Sequence, residues 1–425
     1  MHRPRTPPYH ARLAPRTTPF HERLAPLNET GIWKHWAGHL VAPQYQASLT
    51  QEYYAIRNAV ALLDTSPLFK LRFTGPDARA LLEQALVRDI GRCPPGRAQY
   101  TCWCDPRGFV EQDGVVMHTT EGEYLLTAAE PALRHFRELA RQRGLPRVEV
   151  EDVSTDWGIL ALQGPHAHEV LGQLTDDAAL LRPFQLATTR IAQRPVTISR
   201  TGYTGDLGYE IWVRSPDAIA VWDALVAAGR GHNLTPLGTT ALKMARVEAG
   251  LLLLGVDFQP SRQCWVDEER DTPLELGWEW MLRGRGGDPR EFVGREAIEA
   301  ERRAESSRWT TVGLGLDWRD YERVFVEAGV LPPHHELYAE TTMSVYRRGG
   351  REWDLAGHIG SFLASSLLRR PIGLAKLPLD LARPGVEVDV EVTVIRRPCL
   401  VRARVEPLPF FDPPRRTAPV GRSAP

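Results

Sequence analysis

Three things are scarce in this 425-residue chain, and each scarcity excludes a class of protein. Net charge is nearly absent: 52 basic side chains against 53 acidic ones leave −1. That balance gives no electrostatic footprint for nucleic acid and none for an anionic membrane surface, so neither partner is expected. Long apolar runs are missing. No segment reaches the length of a membrane span, and no charged-then-apolar leader opens the chain. Cysteine is sparse and odd in number: Cys93, Cys102, Cys104, Cys264 and Cys399. The spacing is no disulfide framework, and such usage leads us to expect a reducing, cytoplasmic setting. Cys102 and Cys104 form a C-x-C that could supply two metal ligands. A passive place in a strand is the expectation, with no bound metal.

What is present is ordinary in bulk and distinctive in order. Hydrophobic content of 43% and charged content of 25% fit a soluble globular protein, and the length allows two or three domains. Near the N-terminus PPYHARLAPRT is followed by a near copy, TPFHERLAPLN, and only the second leads into continuous sequence. Residues 1–17 are therefore expected to be disordered. A second repetition runs through FTGPDARALLEQAL (73–86), LQGPHAHEVLGQL (162–174) and RSPDAIAVWDAL (214–225). Each is a β-rich segment, a Gly-Pro or Ser-Pro break, and an amphipathic run. Proline is harmless at the first helical position, where its N–H would be unpaired anyway. In the third copy Ser215 is the expected N-cap, Gly229 the C-cap, and Ile219, Trp222 and Val226 the buried stripe. Repeated strand–Pro–helix units imply α+β subdomains with helices packed on antiparallel sheets. From about residue 290 a short helix gives way to short β-type runs with Gly and Pro between them. These predict a small barrel or sandwich. The tail after 417 is expected to fray.

Three stretches carry candidate chemistry. In SRTGYTGDLGYEIWV (199–213) the glycines are spaced G-x-x-G-x-x-G, and a strand, not a helix, follows. A dinucleotide loop needs G-x-G-x-x-G opening a helix, so phosphate binding at a helix N-terminus is excluded here. Strand, glycine turn, strand is the reading, with Gly205 and Gly208 explained by the turn. Tyr209 and Glu210 must then point to opposite faces, and an acid beside aromatics suits a flat heterocycle with N–H donors on its edge. In CDPRGFVEQDGVVMH (104–118) a DPRG turn joins two strands, and Glu111 and Asp113 are two apart, hence on one face. On these residues alone a solvated strand edge is the plainer reading. A ligand wall thinned by Gly114 is the other. In ARVEAGLLLLGVDF (245–258) Arg246 and Glu248 lie at a helix end closed by Gly250, with a buried strand expected after it. Arg246 could bind a ligand carboxylate or simply form an ion pair.

Taken in order, SRTGYTGDLGYEIWV, WDALVAAG, RVEAGLLLLGVDF, TPLELGWEW and FVGREAI resemble the aminomethyltransferase family, which holds the glycine-cleavage T-protein and tetrahydrofolate-dependent demethylases. The resemblance runs from about residue 18 to 417. It implies an α+β fold of three domains in a ring, two of them interleaved and the third a C-terminal β-barrel. The boundaries expected are 18–64 with 151–255, 65–150 with 256–289, and 290–417. It also implies tetrahydrofolate as cofactor. Asp113 falls at the family's catalytic aspartate, with Gln112 replacing the acid that precedes it. Glu210 falls where a glutamate grips the pterin, Tyr203 where a tyrosine stacks, and Trp280 where a tryptophan walls the cofactor. Arg415 or Arg416, the latter preferred, falls where an arginine approaches the folate, and Arg246 joins the same set.

The departures from the family pattern matter equally. Glycine-cleavage members carry an arginine where this chain has Leu242, beside Lys243, and a tyrosine where it has Leu254. They read D-V-S-H where it reads Asp64-Thr65-Ser66-Pro67. The stretch QPSRQCWVDEERD is longer than its counterpart and places Gln263, Cys264 and Trp265 at the expected substrate mouth, while DWRDYERVFVEAGVLPPHHE is extra. An altered donor pocket implies a transferase that takes a methyl group from a small methylated donor. The alternatives are a glycine-cleavage enzyme with a lipoyl carrier protein as partner, and a folate-binding accessory protein. The accessory relatives carry a cysteine motif that is absent from REFVGREAI (290–298). A fused flavin oxidoreductase is excluded, because no strand–GxGxxG–helix unit is present.

Overall fold

A computed structural model describes residues 15–175, 178–282, 290–333, 338–340, 342–349 and 354–421. The chain begins one sheet with Val60–Asp64 and leaves it. It then builds a second sheet entirely between Phe69 and Asp152, and returns to complete the first. The first sheet has six strands in the order Leu186–Ile191, Arg194–Ser199, Gly208–Arg214, Trp157–Gln163, Val60–Asp64, Leu234–Pro236, antiparallel except for the last pair. The second has five, ordered Arg97–Cys104, Val110–Thr120, Glu123–Ala128, Phe69–Thr74, Glu149–Asp152. The interleaving expected of the fold is thus observed. In the C-terminal part, six strands close on themselves because Leu355–Ser365 pairs with both Met343–Arg347 and Arg370–Leu377. Closure removes the exposed sheet edges that an open sheet would have to protect. Val388, Val390, Val392 and Val394 fill the barrel from one strand while Glu387, Asp389 and Glu391 face outward, the period-2 pattern of EVDVEVTV.

The strand–Pro–helix units form as read, with helices Ala78–Ala85, Ala167–Gly172 and Ala218–Gly229. The details of the third differ from expectation. Its buried stripe is Ala218, Val221, Trp222 and Leu225, with Ile219 and Val226 only half-buried beside it. The Ser215 hydroxyl caps nothing and donates to Thr155 O at 2.7 Å. The helix does not stop at Gly229 but tightens into 3₁₀ over Arg230–His232, and left-handed Asn233 turns the chain. The LLLL run is not a strand. Helix Thr239–Glu248 ends in a Schellman motif, Gly250 N to Val247 O and Leu251 N to Arg246 O, and the Asp257 carboxylate then takes the Leu253 N–H that a strand would have needed. Cys102 and Cys104 lie in strand Arg97–Cys104, both buried against the same cluster, as residues two apart must. The insertion after residue 316 supplies a further helix, Trp318–Glu327. The tail is held at least as far as Ala418: Arg200 donates to the carbonyls of Arg415, Arg416 and Ala418. At the other end Arg16 bridges to His39, while the first copy of the N-terminal repeat lies largely outside the described residues.

One apolar cluster gathers residues from all three parts: Ala61 and Leu63, Cys102 and Val110, Leu363 and Leu374, with helices Leu49–Asn58 and Thr239–Glu248 between them. Its polar tie is Glu248, wholly buried, which accepts from Tyr53 at 2.5 Å, Arg57 at 2.7 Å and the barrel hydroxyl of Ser365 at 2.6 Å. Removing one member of such a buried pair leaves an uncompensated charge. We expect Glu248→Ala to lose about 3–5 kcal/mol of folding stability. Urea unfolding within 1 kcal/mol of wild type would contradict the role given to this pair.

Candidate functional site

The hairpin Arg194–Ser199 to Gly208–Arg214 presents the 200–207 loop to the central cluster. Only Gly205 among its glycines needs the left-handed region (φ 70°). Gly202 and Gly208 serve space instead. A Cβ on either would lie 2.1 or 2.3 Å from the amide of Gln163, which threads between them and accepts from Thr204 Oγ1 at 2.8 Å. The loop is clamped from outside: Arg57 donates to Thr204 O at 3.0 Å, and Arg415 grips Asp206 with two bonds of 2.6 and 2.8 Å.

Facing follows from register, because directly opposed residues on neighbouring strands share a face. Glu210 opposes Ala161, and Asp113 opposes Cys102; both partners belong to the central cluster. The two acids, from different sheets, therefore point into the same region. Tyr209 takes the other face of its strand, buried with its hydroxyl on Ala179 O at 2.6 Å. Asp113 Oδ2 accepts from Tyr100 OH at 2.7 Å. Glu210 accepts from Thr201, whose hydroxyl also lies 2.6 Å from Ser199 Oγ. One Glu210 oxygen has no partner among the described residues. Glu111 does not join Asp113. A bulge sets Trp103 opposite Gln112 and Cys104 opposite Val110, and Glu111 is taken by Ser261 at 2.6 Å and Arg262 at 2.9 Å.

Asp113, Glu210, Tyr100 and Tyr203 all keep part of their surface accessible, yet burial dominates their ionisation. It pushes Asp113 up to about 6, against the opposing Tyr100 hydrogen bond, and raises Glu210 against the bond from Thr201. Tyr100 and Tyr203 are held protonated well above the usual tyrosine range, again mainly by burial. Groups that are desolvated and still reachable line a recess, not a surface. Tyr203 donates to Leu252 O at its floor. Trp278 meets the Tyr100 ring edge-on at 5.7 Å, and Trp280, 40% exposed, stacks on it at 6.5 Å with the Arg88 guanidinium 5.0 Å above the indole.

The other expected residues fall in mixed places. Arg246 is fully buried and engaged by Asp257 at 2.5 Å, Ser361 at 2.6 Å and Tyr338 at 3.0 Å. It is the packing ion pair; its Nε is unpartnered but sealed from solvent, so no edge is exposed to a ligand carboxylate. Arg416 turns to Asp412 at the surface, so Arg415 is the tail arginine that reaches the hairpin loop. Leu242 is buried in the central cluster and Leu254 packs against it. Gln263 bonds Glu130, Cys264 is buried with its thiol on Pro260 O, and Trp265 stands 93% exposed. Sequence reasoning missed Tyr100, Thr201, Trp278, Gln163 and Asp206. For Tyr100 the signal was present: it is two residues from Cys102, the strand partner of Asp113.

A family model described as the GCVT N-terminal domain matches residues 20–284. The aminomethyltransferase of Moorella thermoacetica is 32% identical over 381 residues, 89% of this chain and 93% of that one. That of Bacillus subtilis is 30% identical over 372 residues, 87% and 92% of the two chains. The crystal structure of glycine cleavage system aminomethyltransferase T from Bartonella henselae superposes with a TM-score of 0.76 at 23% identity, covering 94% of this chain and 99% of that one. The chain belongs to the aminomethyltransferase family. It is an enzyme of the one-carbon group transferase class, and its fold is the three-domain one with a C-terminal barrel. Among the described residues no helix is long and apolar enough to cross a membrane.

The Asp113–Tyr100 bond generates a prediction with two readouts. A folded-state pKa near 6, above the ordinary aspartate value of about 3.9, means the folded protein favours the protonated acid. Holding the carboxylate therefore costs nothing at low pH and increasingly destabilises the fold as pH rises through about 6. Asp113→Asn should be more stable than wild type at pH 7.5 and level with it near pH 4. Tyr100→Phe removes the bond that favours ionisation, so the acidic limb of the rate–pH profile should move upward. A limb unmoved by Tyr100→Phe would sink the assignment.

Proposed function

We propose that the protein is a tetrahydrofolate-dependent one-carbon transferase that moves a methyl group from a small methylated donor to tetrahydrofolate. The observation that carries this reading is the convergence of Asp113 and Glu210, from two sheets, on one desolvated and reachable recess. The residues present fit a pterin. The free oxygen of Glu210 can accept from an N–H edge, and the Tyr203 and Trp280 rings offer apolar walls. Tetrahydrofolate, when bound, supplies the nucleophilic nitrogen. Everything else falls to the chain. The recess aligns donor and acceptor and excludes water, and fixed alignment alone is worth several kcal/mol of barrier. Asp113 is mostly ionised at neutral pH and can stabilise positive charge or take a proton, with Tyr100 fixing its orientation. The preference for a methyl donor rests on Leu242 and Leu254, apolar side chains where glycine-cleavage members are polar. The rival reading is an aminomethyltransferase acting on a lipoyl carrier protein. It draws on the names of relatives that match about nine-tenths of both chains.

Titration with tetrahydrofolate tests the first part. Wild type should bind saturably, Glu210→Ala should bind roughly ten- to hundredfold more weakly, and Asp113→Asn should bind while losing turnover. Equal binding by Glu210→Ala would remove the pterin placement. A panel of methylated donors then separates the readings by product: 5-methyltetrahydrofolate supports the proposal. 5,10-Methylenetetrahydrofolate formed only with a lipoyl-bound aminomethyl donor favours the rival.

A further inference from the structure

On the helix-covered face of the six-stranded sheet, the face opposite Glu210, three side chains converge that the transferase reaction does not use. His166 immediately precedes helix Ala167–Gly172 and Glu169 lies three residues on, so the two share one side of the turn. His232 arrives from a different element, the last residue of the 3₁₀ turn Arg230–His232, where left-handed Asn233 (φ 54°) fixes its position. Both imidazole Nδ1 atoms aim at the same oxygen, Glu169 Oε2, at 2.8 Å from His166 and 3.1 Å from His232. The three candidate ligand atoms all lie within 4.8 Å of one another.

We propose that His166, Glu169 and His232 form a binding site for a borderline divalent cation of the zinc type. A helix-capping interaction accounts for His166 with Glu169 but not for a second imidazole delivered to the same oxygen from another element. Tetrahedral zinc, with bonds of about 2.0–2.1 Å, holds its ligand atoms about 3.3 Å apart. The two measured edges are a few tenths of an ångström shorter, so small side-chain rotations open the cluster around an ion. Two nitrogens and one carboxylate select zinc, nickel or cobalt over calcium or magnesium, which want oxygen alone. The outer nitrogen of His232 lies 3.0 Å from the Gln173 amide, the orienting partner that metal-bound histidines have. On binding, each Nδ1 gives its lone pair to the ion and its proton moves to Nε2 or leaves to solvent. The Gln173 amide, turned over, then accepts the Nε2 proton of His232. All three side chains are partly exposed, so the ion has an entry path and a fourth position open to water. The site would cross-link the helix behind residue 166 to the end of helix Ala218–Gly229, a structural staple remote from the recess.

The test uses the full chain without a histidine tag, stripped with chelator and dialysed against zinc or cobalt. One equivalent should bind. His232→Ala and the near-isosteric Glu169→Gln should each weaken binding at least tenfold with transferase activity unchanged. Zinc should raise the thermal unfolding midpoint of wild type and leave that of both variants in place. Cobalt should give four-coordinate ligand-field bands without a thiolate charge-transfer band. Absence of binding, binding undiminished in both variants, or a thiolate band pointing to the cysteines would each overturn the site.

Discussion

The structure depends on a buried ion pair, Arg57 with Glu248. Neither side chain has more than 1% exposure, and between them they join the six-stranded-sheet part to the barrel. Arg57 sits on helix Leu49–Asn58, reaches the carbonyls of Thr204 and Ala245, and meets Asp206 at 3.3 Å. Glu248 adds Tyr53 and the barrel residue Ser365. Arg415 returns from the end of the chain to close on Asp206 and on the Arg57 carbonyl. A buried pair is no guarantee of net stability, since desolvation offsets much of its attraction. What it supplies is position. With every donor and acceptor matched, the hairpin loop, two helices, the barrel and the tail have one arrangement that leaves no charge orphaned.

That arrangement makes the recess possible. A loop carrying Tyr203 would ordinarily be mobile, yet here it is held from behind by Arg57 and Arg415 and threaded by Gln163. The clamp is polar and saturated, so the side facing the central cluster can be left unsatisfied. Glu210 keeps an oxygen free and Asp113 is held partly against its own ionisation. Unsatisfied desolvated acids cost stability, and they persist only where surrounding contacts over-determine the backbone. The two halves of the network are therefore complementary, one over-determined and the other left with unmet hydrogen-bonding capacity.

Much of this was legible in the sequence because its signals are local. The DPRG turn was readable, and Asp105 does accept from the N–H groups of Arg107 and Phe109. So were the alternating barrel strand and the fact that glycines 202 to 208 cannot open a helix. Face assignment for Glu210 needed only period-2 geometry. What failed was non-local. Glu111 looked equivalent to Asp113 until a bulge and Ser261, far along the chain, separated them. Gly208 looked like a turn residue, but the constraint on it, as on Gly202, is a glutamine on a neighbouring strand. The LLLL run had strand composition and lost to an aspartate that captured its N–H. Ile219 and Val226 had helical spacing from Trp222 but sit half-buried at the edges of the stripe, whose centre is Val221, Trp222 and Leu225.

Arg246 shows how one such displacement links features that look separate in the sequence. It was a candidate ligand-binding arginine, yet Asp257 and the barrel hydroxyl of Ser361 hold its guanidinium in the interior. Its last outward contact is Tyr338, which belongs to the short strand following the extra segment. Tyr338 donates in turn to Glu340, and Glu340 pairs with Lys243, one turn before Arg246 on the same helix. The strand that follows the extra segment is therefore tied to the helix through Lys243 and Arg246. A single chain of polar contacts thereby joins that strand to the helix, and the arginine at its inner end serves the joint between barrel and helix.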